Sequence, residues 1–178
     1  MKIPGLVTKP FLSIFLLLQA NLLFACNSAA WQAEPEPNFG FVLEFGSCSM
    51  DKLDTFTGEF TQDRVVEPAD LTIPLRLSDE QMTVIYKKMV EINVAQYPEV
   101  FEVSKPLIGE VVMISSPYNY DLTVQNGESK TSIRWTDNIV KPTTAKADRL
   151  RELFQLIIQM VQEHPGYQQL PDVKFGCI

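Results

Sequence analysis

Hydrophobic and polar positions alternate along several stretches of the chain, and the period tells strands from helices. Phe39, Phe41, Leu43 and Phe45 recur at every second position and predict a first strand with one apolar face. Thr55 to Gln62, rich in Thr and Phe, predicts a second strand interrupted by Gly58. Leu71, Ile73, Leu75 and Leu77 alternate with Thr72, Pro74 and Arg76 and predict a third. Pro74 has no N–H for a ladder, so this strand belongs at a sheet edge or carries a bulge. Glu110 to Ile114 is a short apolar run of strand type, and Tyr118 to Gln125 has the cleanest period of two. Asn126-Gly127 is hairpin-turn chemistry, with Ile133 and Trp135 on the return strand.

Two segments carry the helical period instead. Ser78 followed by Gln81 is a capping box, and Met82, Ile85, Met89 and Ile92 line one face of a helix running to about Asn93. Thr143 or Thr144 can cap a second helix from about Ala145 to Glu163. Its stripe is Ala147, Leu150, Leu153, Phe154, Ile157, Ile158 and Val161. His164-Pro165-Gly166 stops it, and His164 is suited to act as a cation at the negative end of the helix dipole. The order predicts an α+β fold, an antiparallel sheet of about five to six strands with two helices packed on one face.

The N-terminus reads differently. Lys2 and Lys9 precede about fifteen mostly apolar residues, Phe11 to Ala25. That run is shorter than the roughly twenty residues of a spanning helix and matches a signal-peptide core. Leu23-Phe24-Ala25-Cys26 resembles the bacterial lipobox; Leu23 and Ala25 fit, and Phe24 departs from the small residue usual at its position. The resemblance implies cleavage before Cys26 and acylation of that cysteine, with residues 1–25 as leader, 26–38 as acylated N-terminus and tether, and 39–178 as one domain. An ordinary secretory signal cut after Ala29 or Ala30 is the alternative; both export the chain. Trp31, within the tether, is either a membrane-interface contact or incidental.

Charge narrows the partners. Removing residues 1–25 leaves 13 of the 15 basic groups against all 22 acidic ones, a net charge of −9. Nucleic acid, which needs a basic stripe, is excluded as a partner, and membrane residence has to come from the covalent lipid. With Cys26 acylated, Cys48 and Cys177 remain as an even pair in an oxidising compartment, which predicts a disulfide between them; two free thiols at a redox or metal site are the rival.

Chemistry is sparse. One histidine leaves little for a nucleophile–histidine engine, and neither zinc spacing nor a phosphate loop occurs. No catalytic residue, metal or cofactor is assigned. Carboxylates at Asp51, Asp54, Asp70 and Asp121 are acid–base candidates, though solvated loop positions explain most such residues. Tyr118, Tyr120 and Trp135 fit a packed sheet face better than a recognition surface. Asn119, Asp121 and Arg134, on the opposite face, are the candidate partner-facing residues.

Several stretches resemble an uncharacterised family of small bacterial lipoproteins: Leu53-Asp54-Thr55-Phe56-Thr57-Gly58, Thr61-Gln62-Asp63, Ile85-Tyr86-Lys87-Lys88-Met89, Ser116-Pro117-Tyr118 and Leu170-Pro171. The resemblance spans most of residues 39–178 and implies no activity. The succession of capped helix, Tyr-bearing hairpin and final helix is also similar in pattern to emfourin-type protease inhibitors, without a diagnostic motif. The sequence thus leads to an extracytoplasmic, lipid-anchored, non-enzymatic module meeting an envelope protein, peptide or glycan. Inhibition of a secreted protease, or hydrolysis of an envelope polymer by carboxylates, are the alternatives.

Overall fold

The computed structural model describes residues 31–47, 49–64, 70–103, 112–141 and 143–171. Cys26, Cys48 and Cys177, and with them the leader, the acylation site and the disulfide, lie outside the described residues.

The architecture is α+β: among the described residues seven strands form one sheet, and two helices cover one of its faces. The strands are β1 (Gly40–Gly46), β2 (Asp51–Asp54), β3 (Glu59–Gln62), β4 (Leu71–Pro74), β5 (Val100–Phe101), β6 (Val112–Asn126) and β7 (Ser129–Lys141). Across the sheet they run β4-β3-β2-β1-β6-β7-β5, antiparallel except for β5 beside β7. Helix α1 (Asp79–Glu91) leaves the β4 edge, and the chain reaches the β5 edge beyond it; α2 (Ala145–Gln162) follows β7 and returns. At the end of that return Tyr167 packs on Phe60 of β3, with ring centroids 5.4 Å apart.

Alternation explains which face is covered. Phe41, Leu43 and Phe45 of β1 are buried together with Leu53, Phe60, Tyr120, Leu122, Val124, Ile133 and Trp135 on neighbouring strands. Ile85, Tyr86 and Met89 of α1 and Leu150, Leu153, Phe154, Ile157 and Val161 of α2 close over them. The capping box forms as the sequence requires: Ser78 Oγ accepts the Gln81 N–H at 3.2 Å and Gln81 Oε1 accepts the Ser78 N–H at 2.8 Å. At α2 the cap is Thr144, whose hydroxyl accepts the Ala147 N–H at 3.1 Å.

Pro74 does lie on an edge strand. Leu75 donates its N–H to Gly58 at 2.8 Å, so by alternation the bonded pair before it is Ile73 with Phe60, and Pro74 falls at a non-bonded site. Its missing N–H therefore costs the ladder nothing and blunts the free edge against further pairing.

Several elements differ from the sequence expectations. Thr55–Gln62 is not one strand: Thr55–Gly58 is a turn between β2 and β3. Asp54 Oδ1 accepts the N–H groups of Phe56 and Thr57 at 2.9 and 3.2 Å, and Gly58 adopts φ +71°. Local side-chain bonding here overrides the β preference of Thr and Phe. Strand β2 was hidden because Leu53 alone in Asp51–Asp54 is fully buried. The apolar run before Pro117 and the Tyr118 strand are one long β6, with irregular pairing between Val112 and Tyr118. The two-residue hairpin loop is Gly127-Glu128, one position later than Asn126-Gly127, because Asn126 pairs with Ser129 as the last strand residue.

The segment leading into β1 is packed rather than extended as a tether. Trp31 stacks on Tyr86 at 5.7 Å with an interplanar angle of 8°, and Phe39 meets the same ring edge-on at 4.9 Å. Tyr86 Oη lies 2.9 Å from the Gln32 carbonyl and 3.0 Å from that of Glu34. The Glu36 N–H donates to Asn126 Oδ1 at 3.0 Å, and Asn38 exchanges two bonds with Gly127. Trp31 is thus neither incidental nor a free interface anchor.

Candidate functional site

The face of the sheet away from the helices carries the residues with most to offer a partner. One register row crosses six strands: Thr72, Thr61, Lys52, Glu44, Asp121, Arg134. The next reads Pro74, Glu59, Asp54, Val42, Thr123, Ser132. Cross-strand neighbours share a face, so these side chains form one continuous surface. Period two dictates this: all but Thr72 sit one residue from a buried core position. Val42 and Pro74 are the only apolar members of the two rows.

Asn119, Asp121 and Arg134 are brought together there. Asp121 is the register partner of Arg134, and Asn119 pairs with Thr136, whose hydroxyl donates to Asn119 Oδ1 at 2.8 Å. Arg134 is held by Glu99 across the edge, at 2.6 Å, with both side chains more than half exposed. Such an exposed pair contributes little to stability. Glu44 stands directly opposite Asp121, a juxtaposition of like charges that an unoccupied sheet face does not favour, with Lys52 and Arg134 outside it. The row therefore runs cation, anion, anion, cation across four adjacent strands. Sequence reading found Asn119, Asp121 and Arg134 but missed Glu44 and Lys52; the alternation that buries Phe45 and Leu53 already places both on this side.

Phe56 projects at the border of the face and is 50% exposed. Its ring rests on Gly40, where a Cβ would lie 2.5 Å from a ring carbon and would push the ring aside. The turn beneath is fixed by Thr55, whose hydroxyl accepts the Phe41 N–H at 2.7 Å and donates to the Phe41 carbonyl at 2.8 Å. Around the same end a groove of about 540 Å³ runs between Phe39, Arg76, Leu77 and Met82. A second cavity of about 350 Å³ lies by the β5 edge, with Arg134 and Trp135 in its wall.

The acid–base candidates do not converge in either cavity. Asp54 and Asp121 sit on the open face, and Asp70 accepts the Arg64 N–H at 3.1 Å in front of β4. Asp51 lies at the opposite end of the sheet, on the helix-covered side, as register partner of Phe45. Its carboxyl is pushed up to about 6, chiefly by burial and further by the charge of Asp63, against the stabilising Asp63 N–H at 3.0 Å. Tyr118 and Tyr167 nearby are raised by burial and by that same carboxylate. Tyr120 and Trp135 belong to the core: Tyr120 stacks on Phe154 at 4.2 Å. After α2 the Gly166 N–H donates to His164 Nδ1 at 3.1 Å and closes the turn.

Among the described residues no group of three or more His, Cys, Asp or Glu side chains is placed to hold a metal ion, and no helix is long and apolar enough to cross a membrane. Comparisons of the chain with protein-family models, curated proteins and solved structures find no match in any of the three.

Proposed function

We propose that this chain is an extracytoplasmic bacterial lipoprotein, acylated at Cys26. In this reading its α+β domain is a non-enzymatic module that binds an envelope protein, peptide or glycan through the open sheet face. The observation that carries the reading is the row Lys52, Glu44, Asp121, Arg134. Two carboxylates aligned side by side between two cations destabilise an empty face slightly and gain when a partner supplies donors or a positive group. Anchoring draws on the leader and on Leu23-Phe24-Ala25-Cys26.

The disulfide belongs to the same proposal. With Cys26 acylated, Cys48 and Cys177 remain as an even pair, which an oxidising compartment favours joining. A bridge between them contributes roughly 4–5 kcal/mol in the loop-entropy picture.

One observation favours the hydrolase alternative: a carboxyl with a value near 6 beside a second carboxylate is suited to general acid work. Loss of turnover on an envelope polymer in Asp51→Asn would support it. For the anchored binding module the test is metabolic labelling with a radiolabelled fatty acid. Wild type incorporates label and Cys26→Ser does not; label retained in Cys26→Ser refutes the anchor.

A further inference from the structure

We propose that Asn126-Gly127 is a site of spontaneous, one-way modification, held unreacted by the strap of residues 31–38. Lifting the strap lets Asn126 become isoaspartate or aspartate, and the product keeps the strap from reseating.

The dipeptide is labile by composition. A side-chain amide followed by glycine is exposed to attack, because no Cβ shields the next nitrogen and the glycine backbone turns freely toward the amide carbon. The Gly127 nitrogen gives up its proton and bonds to Asn126 Cγ. The Cγ–Nδ2 bond breaks, ammonia leaves, and the two residues close into a succinimide. Water then adds to either carbonyl of the ring. One opening gives aspartate; the other gives isoaspartate, whose main chain runs through the former side chain. Nothing is oxidised or reduced, and water is the other reactant.

The fold restrains each atom involved. Attack needs Asn126 Cγ to swing over a Gly127 nitrogen whose proton is free. Asn126 instead points to the covered side, like Leu122 and Val124 before it, and is only 7% exposed. Its Oδ1 accepts the Glu36 N–H at 3.0 Å, and its Nδ2 lies 3.5 Å from the Tyr86 hydroxyl. The Gly127 N–H is taken by Asn38 Oδ1 at 2.8 Å, and Asn38 Nδ2 donates to the Gly127 carbonyl at 2.9 Å. The bond to Asn126 Oδ1 and the bond from the Gly127 nitrogen are therefore both made by strap residues. Tyr86 fastens the rest of the strap: Trp31 stacks on its ring, and its hydroxyl meets the carbonyls of Gln32 and Glu34.

The product undoes this fit. Either opening replaces the Nδ2 donor with a carboxylate, beside a tyrosine hydroxyl that already feels the charges of Glu36 and Glu34. Isoaspartate also adds a carbon to the main chain where Asn126 pairs with Ser129, so Glu36 and Asn38 no longer meet their partners together.

The test follows conversion in the full chain at mildly alkaline pH, by peptide mapping that separates isoaspartate from aspartate at position 126. Folded wild type should convert at least about a hundredfold more slowly than the same chain unfolded in urea. Asn38→Ala removes both Gly127 bonds and leaves the dipeptide intact; folded, it should convert about tenfold faster than wild type or more. Folded wild type that converts as fast as the unfolded chain overturns the guard. So does a folded Asn38→Ala that converts no faster than wild type. Should Asn38→Ala fail to fold, Tyr86→Phe takes its place with the same reading, since it keeps the ring and drops the hydroxyl bonds to the strap. Converted wild type, isolated by its added negative charge, should exchange the Glu36 amide hydrogen at least about tenfold faster than unconverted protein. Unchanged exchange there overturns the one-way step.

Discussion

The two faces of the sheet are built from the same strands, one residue apart, and obey different rules. On the covered face Phe41, Leu43, Leu53, Phe60, Leu122 and Val124 are fully buried and held by α1 and α2. On the open face Glu44, Lys52, Asp54, Asp121 and Thr123 sit at the alternate positions of those strands. The first face is constrained by volume and packing, the second only by charge and hydrogen bonding. Stability is therefore concentrated on one side, leaving the other free to specify a partner.

The contrast breaks most visibly in the core. Phe154 stacks on Tyr120 at 4.2 Å and is fully buried, so Phe154→Ala should cost about 3–5 kcal/mol in denaturant unfolding. A loss below about 1 kcal/mol would mean that the helix layer is not packed as described.

Next in size is the junction of α2 with β7. Arg151 donates bidentately to Asp137 at 2.6 and 2.7 Å, and also to Thr143, Asp148 and the Ile139 carbonyl, with its guanidinium 5.1 Å from the Trp135 ring. Both partners of the main pair are mostly buried. Arg151→Ala should destabilise by about 2–3 kcal/mol. Arg151→Lys should recover less than half, because an ammonium cannot match the planar fork or the stack. Full recovery by lysine would reduce the junction to simple charge pairing.

Asp51 gives a smaller and pH-dependent effect. Its folded value, about 6, is above the ordinary 3.8, so the folded state holds this proton more tightly than the unfolded one. The associated stability is complete below about pH 4 and is lost as pH rises through 6. Asp51→Asn keeps an acceptor for the Asp63 N–H and removes the titration. Relative to wild type it should gain stability between pH 4 and pH 7, as followed by thermal unfolding. A difference that does not change with pH would place Asp51 in water.

Smallest in stability are the open-face changes: Glu44→Gln and Asp121→Asn should each shift unfolding by no more than about 0.5 kcal/mol. A large loss there would erase the distinction between the faces.

What the sequence disclosed follows the same division. The covered face was legible because a period of two in β1, β4 and β6 and a period of 3.6 in both helices are direct consequences of burial. Ser78 and Gln81 fixed the start of α1 through local bonds that need no tertiary context. Strand β2 was not legible, because its place depends on pairing with β1 and β3 rather than on its own pattern. Nor was β5, two residues whose place depends on pairing with β7 and on the contact of Phe101 with Trp135, distant in sequence. Asn119, Asp121 and Arg134 were placed on the open face from alternation alone. Glu44 and Lys52 enter the same row only when the registers of β1 with β2 and β6 are known.

The central claim is that the open face binds and the covered face only supports it. Capture from envelope extracts by the full chain should therefore be compared with capture by Glu44→Gln with Asp121→Asn. The account predicts a specific partner retained by wild type and lost from a variant whose unfolding midpoint is nearly unchanged. The same partner held equally by both proteins would contradict it.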